Sequence, residues 1–147
     1  MKKKKRSDKT SSGFDKFVVE GVSYTDKELL DFLGKVIKEV DENGTIYFKI
    51  RIDKISTADF CRICLIVRYL IGNKSNYNIG IEVTIDEMWE MGDHQHKRKS
   101  ISSRSTEMAL KEGLIERTTT NTFRVKSERA AHKIIKKLKE SLKDQLK

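Results

Sequence analysis

Apolar residues along this chain recur in two rhythms, and the changes of rhythm mark out the elements. Leu29, Leu30, Phe32, Leu33, Val36, Ile37 and Val40 fall on one face of a helix. Thr25 and Glu28 have the spacing of a capping box, which predicts a helix start near Asp26. The turn residues "DENG" at 41–44 close that helix, and the period then drops to two. In "TIYFKIRID", Ile46, Phe48, Ile50 and Ile52 point one way and Tyr47, Lys49 and Arg51 the other, as in a half-buried strand. Ser56, with Asp59 three residues on, opens a second helix. Its apolar residues from Phe60 to Ile71 cover most of the circumference, so it should be the most buried element.

Residues 73–80 read as a loop, and "IEVTI" at 81–85 as a short strand. That strand runs into a second capping box, Thr84 with Glu87, and the helix "IDEMWEM", which Gly92 stops. After the basic loop "DHQHKRK", Ser100 should cap the helix "ISSRSTEMALKE", ended by Gly113. The stretch "GLIERTTTNTFRV" folds back on itself as a hairpin, and a last helix starts at Ser127. At the other end, "FVVEGVSY" at 17–24 is a short strand or an extended lead-in. Residues 1–12 form a flexible basic arm with nothing to bury. With no internal repeat and no linker after residue 13, the chain reads as one domain over 13–147.

From residue 57 the order is helix, short strand, helix, helix, hairpin, helix. This resembles the winged helix-turn-helix superfamily of DNA-binding domains, with "LKEGLIERTTTNTFRV" at 110–125 carrying most of the resemblance. In that superfamily the recognition helix ends in a Leu-x-x-Gly-Leu-Ile pattern followed by a hairpin, the wing; Leu110, Gly113, Leu114 and Ile115 match it. The resemblance covers about residues 57–126 and implies an α+β, mainly α fold. Around that winged-helix core lie an N-terminal helix-strand extension and a C-terminal amphipathic helix at 127–146. Two departures stand out: the link from Gly92 to Ser100 is longer than the usual tight turn, and the wing is short, with "TTTN" at its tip.

The residues support a DNA contact on their own terms. At 100° per residue, Ile101, Ser105, Met108 and Ala109 face inward, while Ser102, Ser103, Thr106 and Glu107 lie opposite, with Arg104 at the flank. Hydroxyls and amides near a helix N-terminus bond phosphates or base edges, and Lys97, Arg98, Lys99 and Ser100 stand at that end. On the wing, Arg117, Asn121 and Arg124 are the candidate contacts, Arg117 and Arg124 being either phosphate ligands or solvated edge charges. Leu110 fits neither face and is assigned to packing beneath the wing.

Charge distribution points the same way. The chain carries a net +9, yet residues 13–92 have ten basic against fourteen acidic side chains. Residues 1–12 have six against one, 93–126 eight against four, and 127–147 seven against three. A polyanion would meet the arm and the last third. The last helix has an apolar stripe of Ala131, Ile134, Ile135, Leu138, Leu142 and Leu146, with Lys133, Lys136, Lys137, Lys139 and Lys143 outside it. The stripe either packs on the chain's own core or, through Ala131, Ile135, Leu138 and Leu142, forms a heptad-spaced seam with a second copy.

Other chemistry is poorly represented. Cys61 and Cys64 have C-x-x-C spacing and His94 and His96 share a loop, but the cysteines lie in the most apolar helix, so no metal site is expected. No phosphate loop, nucleophile elbow or H-E-x-x-H motif is present, and Asp86, Glu87 and Glu90 suit capping better than catalysis. No enzyme activity and no cofactor are expected. With 37% hydrophobic and 36% charged residues and no apolar run of roughly 18, the composition is globular, without a membrane span. The basic start has no apolar stretch after it, so the expected setting is cytoplasmic, at the nucleoid. The reading is a sequence-specific binder of double-stranded DNA, a regulator of transcription. The alternatives are a replication or plasmid-maintenance initiator of the same fold, and a winged-helix module that binds protein.

Overall fold

A computed structural model describes residues 24–74 and 80–144. The basic arm, the lead-in up to residue 23 and Leu146 lie outside the described residues, as do the side chains of Thr25 and Glu28. The described chain is α+β and mainly helical, with five α-helices and two small antiparallel sheets. Its elements are α1 (Tyr24–Val36), β1 (Ile37–Val40), β2 (Ile46–Phe48), α2 (Thr57–Lys74), β3 (Val83–Thr84), α3 (Ile85–Met91), α4 (Arg98–Lys111), β4 (Ile115–Thr119), β5 (Thr122–Val125) and α5 (Glu128–Leu142).

The centre is α2. Phe60, Cys61, Ile63 to Val67, Leu70 and Ile71 are all buried, so the helix needs cover on nearly every side. It receives that cover from α4, α5 and strand β5. Ser56 opens the helix as the spacing predicts, its hydroxyl accepting the Asp59 N–H at 3.1 Å.

The amphipathic run that predicts one helix up to Val40 breaks at Val36, and Ile37–Val40 becomes a strand paired with β2. Both readings bury Ile37 and Val40, because residues three apart share a helical face and also flank the bulged register between Ile37 and Glu39. The turn 41–44 decides between them. Asp41 accepts the N–H groups of Asn43 and Thr45, and Gly44 takes φ 86°, so the chain reverses there. Strand β2 stops at Phe48, well short of Asp53, and Ile52–Lys54 is a turn of 3₁₀ helix. The alternation still holds, with Tyr47, Lys49 and Arg51 exposed.

The second sheet has the order β3-β5-β4. Thr84 pairs with Thr122 and also caps α3 by accepting the Glu87 N–H, while the Glu87 carboxylate accepts the Thr84 N–H. The predicted box is therefore complete. Gly113 takes φ 70° after α4, as expected of the glycine that ends that helix. The hairpin turns through Thr120 and Asn121 without a left-handed residue, and the register slips between Arg117 and Thr119. That bulge supplies twist that a two-residue turn of ordinary hand lacks.

The C-terminal stripe belongs to the chain's own core. Ala131, Ile134, Ile135, Leu138 and Leu142 are at most 2% exposed, and α5 lies against α1 and α2. The seam expected from Ala131, Ile135, Leu138 and Leu142 is thus already occupied, since α1 and α2 need the same apolar cover that a second copy would offer. Among the described residues no helix is long and apolar enough to cross a membrane. Leu138→Lys should accordingly abolish the cooperative thermal transition rather than release a folded monomer, because it buries an unpaired charge. A soluble Leu138→Lys protein melting like the parent would place α5 off the core.

Candidate nucleic-acid interface

The helix with the serine-rich face starts earlier than its capping residue implies. α4 begins at Arg98, and Ser100 lies inside its first turn. Lys97, extended at φ −64° and ψ 139°, occupies the cap position and offers no side-chain acceptor. The first-turn amides are thus left to solvent or to an outside anion. Arg98 and Lys99 become helical residues, and the link from α3 is residues 92–97.

That link has its own construction. Gly92, at φ −87°, is not the left-handed residue; Asp93 and His94 are, at 54° and 62°. The His94 ring stacks on Trp89 at 3.7 Å between centroids, and its Nε2 lies 3.3 Å from Glu90. His96 stacks on Phe60 at 4.9 Å. Its Nε2 donates to the Ile52 carbonyl at 3.0 Å, which leaves Nδ1 of a neutral ring to accept the Thr57 hydroxyl at 2.9 Å. Both histidines are engaged in fixing the link. Among the described residues no group of three or more His, Cys, Asp or Glu side chains is set to hold a metal ion.

Helical periodicity placed most of α4 well. Ile101, Ser105 and Met108 are buried and Ala109 half-buried. Ser103 and Arg104 are exposed, while Ser100, Ser102, Thr106 and Glu107 are half-buried. Leu110 is the failure: it is 81% exposed, not tucked beneath the wing. After Gly113, Leu114 and Ile115 pack towards the core in its place.

The cations divide by type. Arg98 pairs with Asp86 across the link, Arg104 with Glu107 at 2.8 Å, and Arg124 with Glu116 at 2.7 Å across the hairpin. The hydrogen bond from Arg98 holds the Asp86 carboxyl below its ordinary value and raises the Arg98 guanidinium. The Lys111 ammonium, bonded at 3.1 Å, does most to hold the Glu107 carboxyl low, with Arg104 adding to it. Arg117 donates twice to the Thr120 carbonyl and lies 5.6 Å over Phe123. Lys97 and Lys99 are exposed and have no ion-pair partner among the described residues. The main-chain carbonyl of the exposed Asn121 accepts the Ile85 N–H at 2.9 Å, tying the hairpin tip to the start of α3.

Two of these pairs were legible beforehand: 104 and 107 are one helical turn apart, and 116 and 124 meet once the hairpin register is drawn. Nothing local announces Arg98 with Asp86. A second feature escaped notice entirely. Lys133, Lys136 and Lys137, taken only as the outer face of the last helix, border with Lys111 a groove of about 830 Å³ between α5 and the end of α4.

Comparison of the chain with protein-family models, with curated proteins and with solved structures gave no match.

The cysteines provide a test of the core they sit in. Burial pushes the Cys61 thiol up to about 11, against a smaller opposing effect of the Ser105 hydroxyl, and raises Cys64 well above 9.0. Both should resist alkylation at pH 8 in the folded protein and react at once in denaturant. A folded state that holds a thiol proton more tightly loses stability as pH rises from 9 towards 11, by about 2–3 kcal/mol for Cys61. Urea midpoints over that range should fall less steeply in Cys61→Ala, the buried Cys64 still contributing its share. An equally steep decline would assign the alkaline loss to other groups.

Proposed function

We propose that the protein binds double-stranded DNA sequence-specifically, as a winged helix-turn-helix regulator of transcription. In this reading α4 enters the major groove and the β4–β5 hairpin lies along the backbone. The observation that carries it is a connectivity: helix, strand, helix, helix and hairpin, with strand β3 adding to the hairpin's last strand. This pairing, which the hydrophobic pattern does not dictate, is what the resemblance at 110–125 requires of a wing. The exposed Ser103 and Arg104 and the unpaired Lys97 and Lys99 stand on the helix and end that would meet DNA.

One observation favours the interaction-module reading. Arg98, Arg104 and Arg124 are neutralised within the chain, so a phosphate must displace a carboxylate to reach them. These pairs are exposed, and exposed pairs contribute no more than about 1 kcal/mol, so a strong polyanion can exchange them. DNA binding remains the better-supported reading because Lys97 and Lys99 need no exchange.

In-vitro selection from random duplexes tests the proposal directly, and enrichment of a motif is the expected result. Lys97→Ala with Lys99→Ala should weaken binding to every duplex and lower the salt slope by roughly two units. Arg104→Ala should cost about 1–3 kcal/mol at the selected site and little on random sequence. Glu116→Gln, which frees Arg124, should strengthen binding to all duplexes alike. Failure of the intact chain to shift any duplex at low salt would leave the protein-binding module.

A further inference from the structure

α4 has lysines at both ends, and only one set belongs to its reading end. At the C-terminal end Lys111 faces Lys133, Lys136 and Lys137 of α5 across the groove of about 830 Å³. The three α5 lysines are exposed, one helical turn apart, and have no ion-pair partner among the described residues. The groove wall is cross-linked by ion pairs and a hydrogen bond. Arg62 of α2 lies in it, 15% exposed, paired to Asp59 at 2.9 Å and to Glu112 at 2.7 Å, and Asp59 in turn accepts the Ser141 hydroxyl of α5. That network ties α2, the end of α4 and α5 together, so the lysines sit on a fixed frame. The carboxylates in the groove, Glu112 and Glu140, are engaged by Arg62 and Lys143.

We propose that this groove is a second phosphate-contact surface for the same duplex, on the opposite bank of the major groove from Lys97 and Lys99. The inference rests on the DNA-binding reading above and adds to it where the backbone is held. With 14 residues, α4 is about 21 Å long. A major groove is about 12 Å wide, so a helix of this length set obliquely within it brings its two ends near the two bounding strands. Lys97 and Lys99 then meet one strand, and Lys133, Lys136 and Lys137 the other. Lysines suit this duty because they engage phosphates as point charges on flexible stems, needing no fixed fork geometry. They also offset the negative end of the α4 dipole, which would otherwise repel a phosphate there.

The test is ethylation interference on a selected duplex, with the intact chain and with Lys133→Ala/Lys136→Ala/Lys137→Ala. Alanine at exposed helical positions preserves α5, which circular dichroism and the melting temperature verify. The intact chain should show two clusters of sensitive phosphates, one on each strand across a major groove. The triple variant should lose one cluster, keep its specific-to-random ratio, and lower the salt slope by roughly two to three units. Lysine-to-arginine changes at the same positions should restore both cluster and slope. An unchanged footprint and slope in the triple alanine variant, with loss of binding in Lys97→Ala/Lys99→Ala, would overturn the second surface and leave the DNA-binding reading intact. No duplex binding by the intact chain would overturn both.

Discussion

The fold depends on one helix that cannot face water. α2 presents apolar side chains around nearly its whole circumference, and wrapping it dictates where everything else goes. α4 and α5 lie against it, β5 crosses it, and β3 is drawn in beside β5. Of the two charges buried on it, Asp59 and Arg68, the second is itself a tie: it donates to the Glu82 carbonyl before β3 at 2.7 Å and lies 3.5 Å from the α3 capping residue Glu87. It also lies close beneath Gly44, where a Cβ would come within 3.0 Å of the guanidinium. So the turn between β1 and β2, the start of α3 and the middle of α2 share one cation.

α4 has few buried residues of its own, yet it is held at several points. Its inward residues Ile101, Ser105 and Met108 are buried where α4 lies against α2, and its ends are fixed by other elements. Arg62 holds Glu112 at one end, and the histidine-bearing link governs the other. The helix presents its polar face because the rest of it has no freedom.

Much of this was legible in the residues. The Thr84–Glu87 capping box, the most buried helix, the glycine after α4 and the hairpin all follow from local chemistry that tertiary packing does not oppose. The misreadings have separate causes. The end of α1 and the shortness of β2 were decided by the Asp41–Gly44 turn, whose pull on either side exceeds any periodicity over four residues. The start of α4 moved from Ser100 to Arg98 because the extended backbone at Lys97, not a hydroxyl, sets the boundary. Leu110 was assigned by a motif and found exposed. For the site, residue types were readable but their partners were not. Whether Arg98 is free depends on Asp86, twelve positions away and brought near only by the link.

The link between α3 and α4 also bears on self-association. Ile85 to Lys111 contains no proline, and a straightened version would run as one helix about 40 Å long. Such a helix would carry α4 and the hairpin away from their own α2 and onto that of another molecule, exchanging identical halves. What opposes the exchange is local. Phe60 lies so close to Gly92 that a Cβ there would fall 2.6 Å from its ring, and His94 pins the bend by stacking on Trp89. Two successive left-handed residues store strain that a continuous helix would relieve, of order 1–3 kcal/mol each. The bend therefore carries strain that the stacking of His94 on Trp89 and the contact of Phe60 with Gly92 hold in place.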